Sequence, residues 1–211
     1  LEPILKSKKE GMINKKRNWV ITGRERHVAK AREGMLPYPQ RALRTEEFLY
    51  IINFAPDRWP MGNPYNLTKD STPEHRQLEH NTFITYGDLD ASPTKAWVIE
   101  HRNDEKWKWF YDYAFGKRPR EELFNVKTDR DCVKNLADKE AQAGLKAALK
   151  KQLFSELKKQ GDPRMFGRGD VFEKYGFASD MWDQFYEKYQ RGEKIRTGWV
   201  LPSDYEKEKL D

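Results

Sequence analysis

The chain has 211 residues, a formal net charge of +6, and a charged fraction of 35% against 37% hydrophobic. Its single cysteine excludes an internal disulfide framework and a cysteine-based zinc site, and no apolar run is long enough for a membrane-crossing helix. Seven Trp, ten Tyr and eleven Phe supply aromatic mass that disordered chains lack, so a folded chain of ordinary domain size with extensive loops is expected.

Leu1 to Gly11 (LEPILKSKKEG) reads as the end of a short helix or an extended lead-in closed by Gly11. It lacks a basic start followed by an apolar core, so it is not a signal peptide. Without an initiator Met, the chain is expected to begin inside something longer or to have been processed. Arg17 to Gly23 (RNWVITG) is a strand, since Trp, Val, Ile and Thr favour one and glycine ends it. The continuous WVI suits a strand buried on both faces of a parallel sheet, yet no βαβ unit follows. The strand reads as orphaned.

The segment GMLPYPQ is a proline-punctuated loop. Arg41 to Phe54 then reads as an antiparallel hairpin around Glu46-Glu47, with Phe48, Tyr50 and Ile52 on one face and Leu49, Ile51 and Asn53 on the other. Ala55 to Pro93 is irregular, broken by Pro56, Pro60, Pro64, Pro73 and Pro93, and a helical stretch is expected within Thr72 to Thr85. Loops of that length inside a compact domain are uncommon and often functional. Lys95 to Arg102 reads as either a strand or a short helix. DEKWKWFYDYAFG is an aromatic cluster expected to pack on a sheet and to end at Gly116.

Glu122 to Val126 is a strand and KTDRDC a turn, after which Asn135 or Asp138 is placed to cap a helix. That helix spans Lys139 to Gln160. Ala141, Leu145, Leu149, Leu153 and Leu157 recur every four residues, and Gly161 with Asp162-Pro163 stops it. Arg164 to Asp211 reads as a wrapping tail with one short helix around Asp180 to Tyr189.

Few motifs carry chemistry by themselves. His27, His75, His80 and His101 show no HExxH or other metal spacing, and Cys132 in DRDCVKN has no evident activating neighbour and reads as an incidental or buried thiol. No dinucleotide fingerprint, phosphate loop or serine-hydrolase elbow occurs. KSKKEG and NKKRNW are basic, but no nucleic-acid-binding pattern accompanies them, and the aromatics sit in core-like patterns. The densest polar group is GRERH at Gly23 to His27, just past the WVI strand. It is either a charged loop or part of an anion-binding site, because arginine forks match a tetrahedral oxyanion and imidazole exchanges protons near neutral pH.

Four segments in order resemble the C-terminal part of type I sulfatases, closest to the bacterial heparan N-sulfatase (sulfamidase)-like branch. They are LEPILKSKKEG…RNWVITGRERH, PYPQRALRTEEFLYIINFAPDRWPMGNP, AFGKRPREELFNVKTDRDCVKNLAD and GDPRMFGRGDVFEKY. The most general signature, EELFNVKTDRDCVKNLAD, is similar to the family's E-L-Y-D-L-x-x-D-P-x-E-x-x-N-L-A. Glu122, Leu123, Asp129, Asn135, Leu136 and Ala137 match, whereas Phe124, Asn125 and Arg130 replace Tyr, Asp and Pro. The hairpin YPQRALRTEEFLYIINF, with Arg41 and Arg44, resembles the strand pair that precedes it. The resemblance covers about Leu1 to Tyr175.

The resemblance implies an α+β fold in three parts: residues 1–36 as the end of an alkaline-phosphatase-like α/β domain, residues 37–161 as a C-terminal subdomain, and residues 162–211 as the tail. In the subdomain a four-stranded antiparallel sheet would pack on the helix at 139–160. Its strands would be Arg41 to Thr45, Phe48 to Phe54, Trp97 to Glu100 and Glu122 to Val126, and WVI would be a late strand of the α/β domain. The implied activity is hydrolysis of O-sulfate or N-sulfate groups of sulfated glycans. Arg24, Glu25, Arg26, His27 and Arg41 would line the substrate pocket, and none of them is catalytic. The family's formylglycine motif and the ligands of its calcium ion do not occur in these residues. No metal or other cofactor is therefore expected in this chain, and alone it is not expected to hydrolyse sulfate. Its partners would be the N-terminal sulfatase domain and a sulfated carbohydrate, with neither nucleic acid nor membrane, in a periplasmic or extracellular setting. The alternative is a stand-alone, non-catalytic module of sulfatase origin that binds anionic polysaccharide.

Overall fold

The computed structural model describes residues 2–175 and 185–193. In chain order the elements are α1 (Glu2–Leu5), β1 (Trp19–Arg24), β2 (Gln40–Thr45), β3 (Phe48–Asn53), α2 (His75–His80), α3 (Pro93–Glu100), α4 (Lys108–Phe115), β4 (Glu121–Asn125), α5 (Ala143–Lys159), α6 (Val171–Lys174) and α7 (Phe185–Gln190). Short 3-10 turns join several of them. The fold is α+β, and the chain divides into two compact units.

The first unit comprises Leu1–Gly23, Gln40–Ile52 and Glu121–Gly161, and it carries a four-stranded antiparallel sheet in the order β1-β2-β3-β4. Tyr50 lies opposite Leu123 and Ile52 opposite Glu121, so alternation puts Tyr50, Ile52 and Leu123 on one buried face. On α5 the buried residues are Leu149, Leu153 and Leu157, and the helix packs against β2. Glu46-Glu47 is the two-residue hairpin turn between β2 and β3. Thr45 closes it, its Oγ1 accepting the Phe48 N–H at 2.9 Å.

Three expectations about the sheet and its surroundings change. The WVI strand is not orphaned: β1 is an edge strand of the antiparallel sheet. It is not buried on both faces either, since Val20 is 50% exposed and Thr22 and Gly23 are exposed. Trp97 to Glu100 is not a strand but the end of α3, and the fourth strand is β1. Asn135 does not cap a helix. It closes the outer edge of β4: its Oδ1 accepts the N–H groups of Leu123 and Ala137, both at 2.9 Å, and its Nδ2 faces the Glu121 carbonyl at 3.4 Å. The Leu136 N–H adds a bond to the Leu123 carbonyl at 2.7 Å. An unpaired strand edge is thereby satisfied by the asparagine and its neighbours.

The second unit comprises Arg24–Pro39, Asn53–Arg120 and Asp162–Asp211. Its core joins Trp59, Leu67, Leu78, Tyr86, Ala96, Ile99 and Phe115. Tyr86 stacks on Phe115 at 4.4 Å and meets Trp59 edge-on at 5.8 Å. The aromatic segment forms α4, and Phe115 and its neighbours join this helical core. Ser92 caps α3 through the Lys95 N–H, with Pro93 at the first helical position.

The long 55–93 segment is ordered by two buried cations. Lys95 is 1% exposed and donates to the carbonyls of Thr82 (3.0 Å), Tyr86 (3.2 Å) and Leu89 (2.7 Å). Arg102 donates to the carbonyls of Thr68, Lys69 and Ser71 and to the Thr72 hydroxyl. Buried backbone acceptors need donors, and a loop without ladder partners takes them from side chains. Gly62 sits at φ +99, where an added Cβ would lie 2.7 Å from the Ala31 carbonyl oxygen, so only glycine fits. Part of the expected helix near 180–189 lies outside the described residues, and the described part is α7.

Candidate functional site

The strand–loop passage GRERH leaves β1 and enters the second unit at Arg24. There the four polar side chains take separate directions. Glu25 is held by Arg164 in a two-point pair, Nε to Oε1 at 2.7 Å and Nη2 to Oε2 at 2.6 Å, with the side chains 18% and 11% exposed. Such a fork on a carboxylate is the strong form of an ion pair. Arg26 donates to backbone carbonyls, from Nε to Met35 at 2.5 Å and from Nη1 to Tyr175 at 2.6 Å, with Glu173 (3.4 Å) and Phe172 (3.5 Å) at Nη2. Burial lowers the Arg26 pKa, against the pull of Glu173 and Glu25. Arg24 donates to the Pro60 carbonyl at 2.8 Å and lies over the Tyr38 ring at 5.6 Å.

His27 is the member that faces solvent, with its side chain 67% exposed. Its Nδ1 lies 3.2 Å from Asp88 Oδ1, and the Asp88 side chain is 1% exposed. Asp88 also accepts the Val28 N–H at 3.2 Å and the Arg32 Nη2 at 2.7 Å. Arg32 is itself buried, 2% exposed, and donates from Nε to Trp59 O at 2.8 Å and from Nη2 to Pro60 O at 2.6 Å. Its third nitrogen, Nη1, is buried without a hydrogen-bond partner among the described residues, and its guanidinium carbon lies 5.6 Å from the Tyr38 ring centre. Burial lowers the Arg32 pKa, while Asp88 opposes this by charge and hydrogen bond. A guanidinium remains charged through such a perturbation.

The result is a three-residue array, Arg32–Asp88–His27, running from the interior to the surface. The carboxylate is fixed by a buried cation and a backbone N–H, and it fixes one imidazole nitrogen in turn. The other nitrogen, Nε2, is left for solvent or a ligand. With the Nδ1 hydrogen on Asp88, a neutral ring offers an acceptor at Nε2 and an imidazolium offers a donor. An imidazole so held can receive a proton, donate one, or bind an anionic oxygen.

Arg41 belongs to the first unit, on β2, and is 7% exposed. Its Nη1 donates to the Gln40 carbonyl at 2.9 Å, and its stem passes Gly23 so closely that an added Cβ there would be 2.8 Å from Arg41 Cδ. Cys132 adopts φ +53, and its thiol is pushed up by burial and by Asp129, which disfavours the thiolate. Among the described residues, no three His, Cys, Asp or Glu side chains come together as a metal-binding group. The remaining histidines are locally engaged: His75 with Glu100 at 3.0 Å, His80 with Glu79 at 3.5 Å, and His101 with the Trp97 carbonyl at 2.8 Å.

Asp88 and Arg32 were not singled out by sequence. Asp88 sits in the irregular segment, far from His27 along the chain, and no local spacing links them. Lys95 carried no signal beyond its place after the Ser92-Pro93 helix start. No protein-family model matches the chain, and no curated protein matches it.

Proposed function

We propose that this chain is the C-terminal portion of a type I sulfatase acting on O- or N-sulfated glycans, and that it completes the substrate pocket of that enzyme. The observation that carries the reading is the outward imidazole of His27, fixed by a carboxylate that is itself fixed by buried Arg32. The ordered sulfatase-like segments support it, and so does an antiparallel sheet containing β2, β3 and β4 and followed by α5, three of the four strands the resemblance implies. In this reading the sheet and α5 are the sulfatase C-terminal subdomain. The formylglycine nucleophile and the calcium ion come from residues outside these 211.

The five residues named from sequence divide their tasks. His27 contacts a sulfate or sugar oxygen through Nε2. Arg24, Glu25 and Arg26 hold the loop that presents it, through Pro60, Arg164 and the backbone around Met35 and Tyr175. Arg41 lies over Gly23, where β1 leads into that loop. The direct test is sulfate release from N-sulfated and O-sulfated glucosamine oligosaccharides by the longer enzyme that the reading requires, this chain joined to its catalytic domain. Release from either is expected. No release from any sulfated glycan, with retention on sulfated polysaccharide, would replace this reading by the stand-alone binding module.

A further inference from the structure

A concave feature lies in the second unit, in a stretch of the chain apart from the His27 array. It is a cleft of about 320 Å³ lined by Asn66, Ser71, Thr72, Gln77, Asn81 and Phe83, with Pro73 and Ile84. That volume falls within the range of small-molecule sites. Among the described residues, no charged side chain lines it, in a protein whose residues are 35% charged.

Each amide in its wall is fixed at one end. Asn66 gives its Nδ2 to the Ile84 carbonyl at 3.0 Å, which leaves its Oδ1 as an acceptor. Asn81 Oδ1 accepts the Phe83 N–H at 3.1 Å, and Gln77 Oε1 accepts the Glu74 N–H at 3.1 Å, which leaves two NH₂ groups as donors. Thr72 Oγ1 accepts from Arg102 Nη1 at 2.5 Å, so its own hydrogen points elsewhere. Asn66 holds φ +59, a left-handed conformation tolerated by asparagine and enriched at ligand sites. Oriented neutral donors and acceptors beside one aromatic ring match a molecule with hydroxyls at its rim and C–H groups on its face.

We propose that this cleft binds one uncharged pyranose ring, with Phe83 under its C–H face and Asn66, Gln77 and Asn81 on its hydroxyls. Among the described residues no cation lines the cleft, and Arg102, behind Thr72, is buried and bonded to that hydroxyl and to backbone carbonyls, which disfavours a sulfated ring, since a sulfate taken from water would meet no open ion partner there. The inference stands on the cleft alone and does not require the sulfatase reading. Sulfate release is the test of that reading, and direct sugar binding is the test of this one, so either can fail without the other.

The experiment is a titration of the full, ¹⁵N-labelled chain with glucose, galactose, N-acetylglucosamine and N-sulfated glucosamine, read from backbone amide shifts. Saturable shifts at Ser71, Gln77, Asn81 and Phe83 are expected with at least one neutral sugar. Weaker binding of N-sulfated glucosamine than of N-acetylglucosamine is also expected. Gln77→Ala and Ser71→Ala, both at exposed positions, should weaken the neutral sugar about tenfold, with spectral changes in the free protein confined to residues beside each substitution, including Glu74 for Gln77→Ala. Absence of saturable shifts with all three neutral sugars would overturn the proposal and leave a water-filled cleft. So would equal binding by both variants, or tighter binding of the sulfated sugar.

Discussion

Asp88 is the residue on which the candidate site turns. Its side chain is buried and serves Arg32, His27 and the Val28 N–H together. Asp88→Asn leaves the Arg32 guanidinium buried without its carboxylate, and breaking such a pair from one side costs about 3–5 kcal/mol. Denaturant unfolding should show that loss, while His27→Ala, at an exposed position, should change stability by less than about 0.5 kcal/mol. Lys95 makes a different prediction. Burial pushes its ammonium down to about 8 from 10.5, with Asp90 opposing. Below the folded value both states carry the proton. Between the two values the unfolded chain holds the proton and the folded chain releases it. Stability therefore rises with pH across that window, by at most about 1.4 kcal/mol per pH unit. Lys95→Met should abolish the rise and cost roughly 2–5 kcal/mol through three unpaired carbonyls. The same slope in that variant would show that another group titrates. At this scale the sequence drew notice to the exposed member of the array, His27, because four adjacent polar residues at a strand end stand out. It hid Asp88, Arg32 and Lys95, because burial and long-range pairing leave no local pattern.

Elements with strong periodicity were legible, and those defined by their partners were not. The fourfold spacing of Leu149, Leu153 and Leu157 is the buried stripe of α5, and the alternation in β3 puts Tyr50 and Ile52 inside. Leu153→Ala should cost about 2–4 kcal/mol by loss of burial and cavity formation. β1 misled because a continuous apolar run reads as two-sided burial, whereas one face of the strand, carrying Val20 and Thr22, is exposed and the other, carrying Trp19 and Ile21, is half-buried. Val20→Thr should accordingly be neutral within about 0.5 kcal/mol, a β-branched residue replacing another at an exposed site. Gly23→Ala is the contrasting change on the same strand. Its methyl would fall 2.8 Å from the stem of Arg41, which is 7% exposed, and displacing a packed side chain costs roughly 1–3 kcal/mol. α3 was ambiguous between strand and helix, although Ser92 followed by Pro93 is a helix start and could have decided it.

For the whole molecule, the net charge of +6 sets a long-range attraction to polyanions without specifying a site. Retention on a sulfated polysaccharide should fall steeply as salt shortens the screening length, and retention insensitive to salt would contradict an electrostatic origin. The composition foretold a folded chain with much irregular structure, from its aromatic content and loop-forming residues, and the α+β class came with the family resemblance. It did not foretell two compact units, each assembled from three separate chain segments, because such interleaving is a property of long-range packing. The proposal that this chain presents His27 to a sulfated sugar is tested most directly by kinetics of the intact enzyme on a sulfated oligosaccharide. His27→Ala should lower kcat/KM about 10- to 100-fold, the value of one hydrogen bond to a charged group, with folding unchanged. Kinetics equal to those of the unsubstituted enzyme would remove His27 from the pocket and with it the proposed role of the Arg32–Asp88–His27 array.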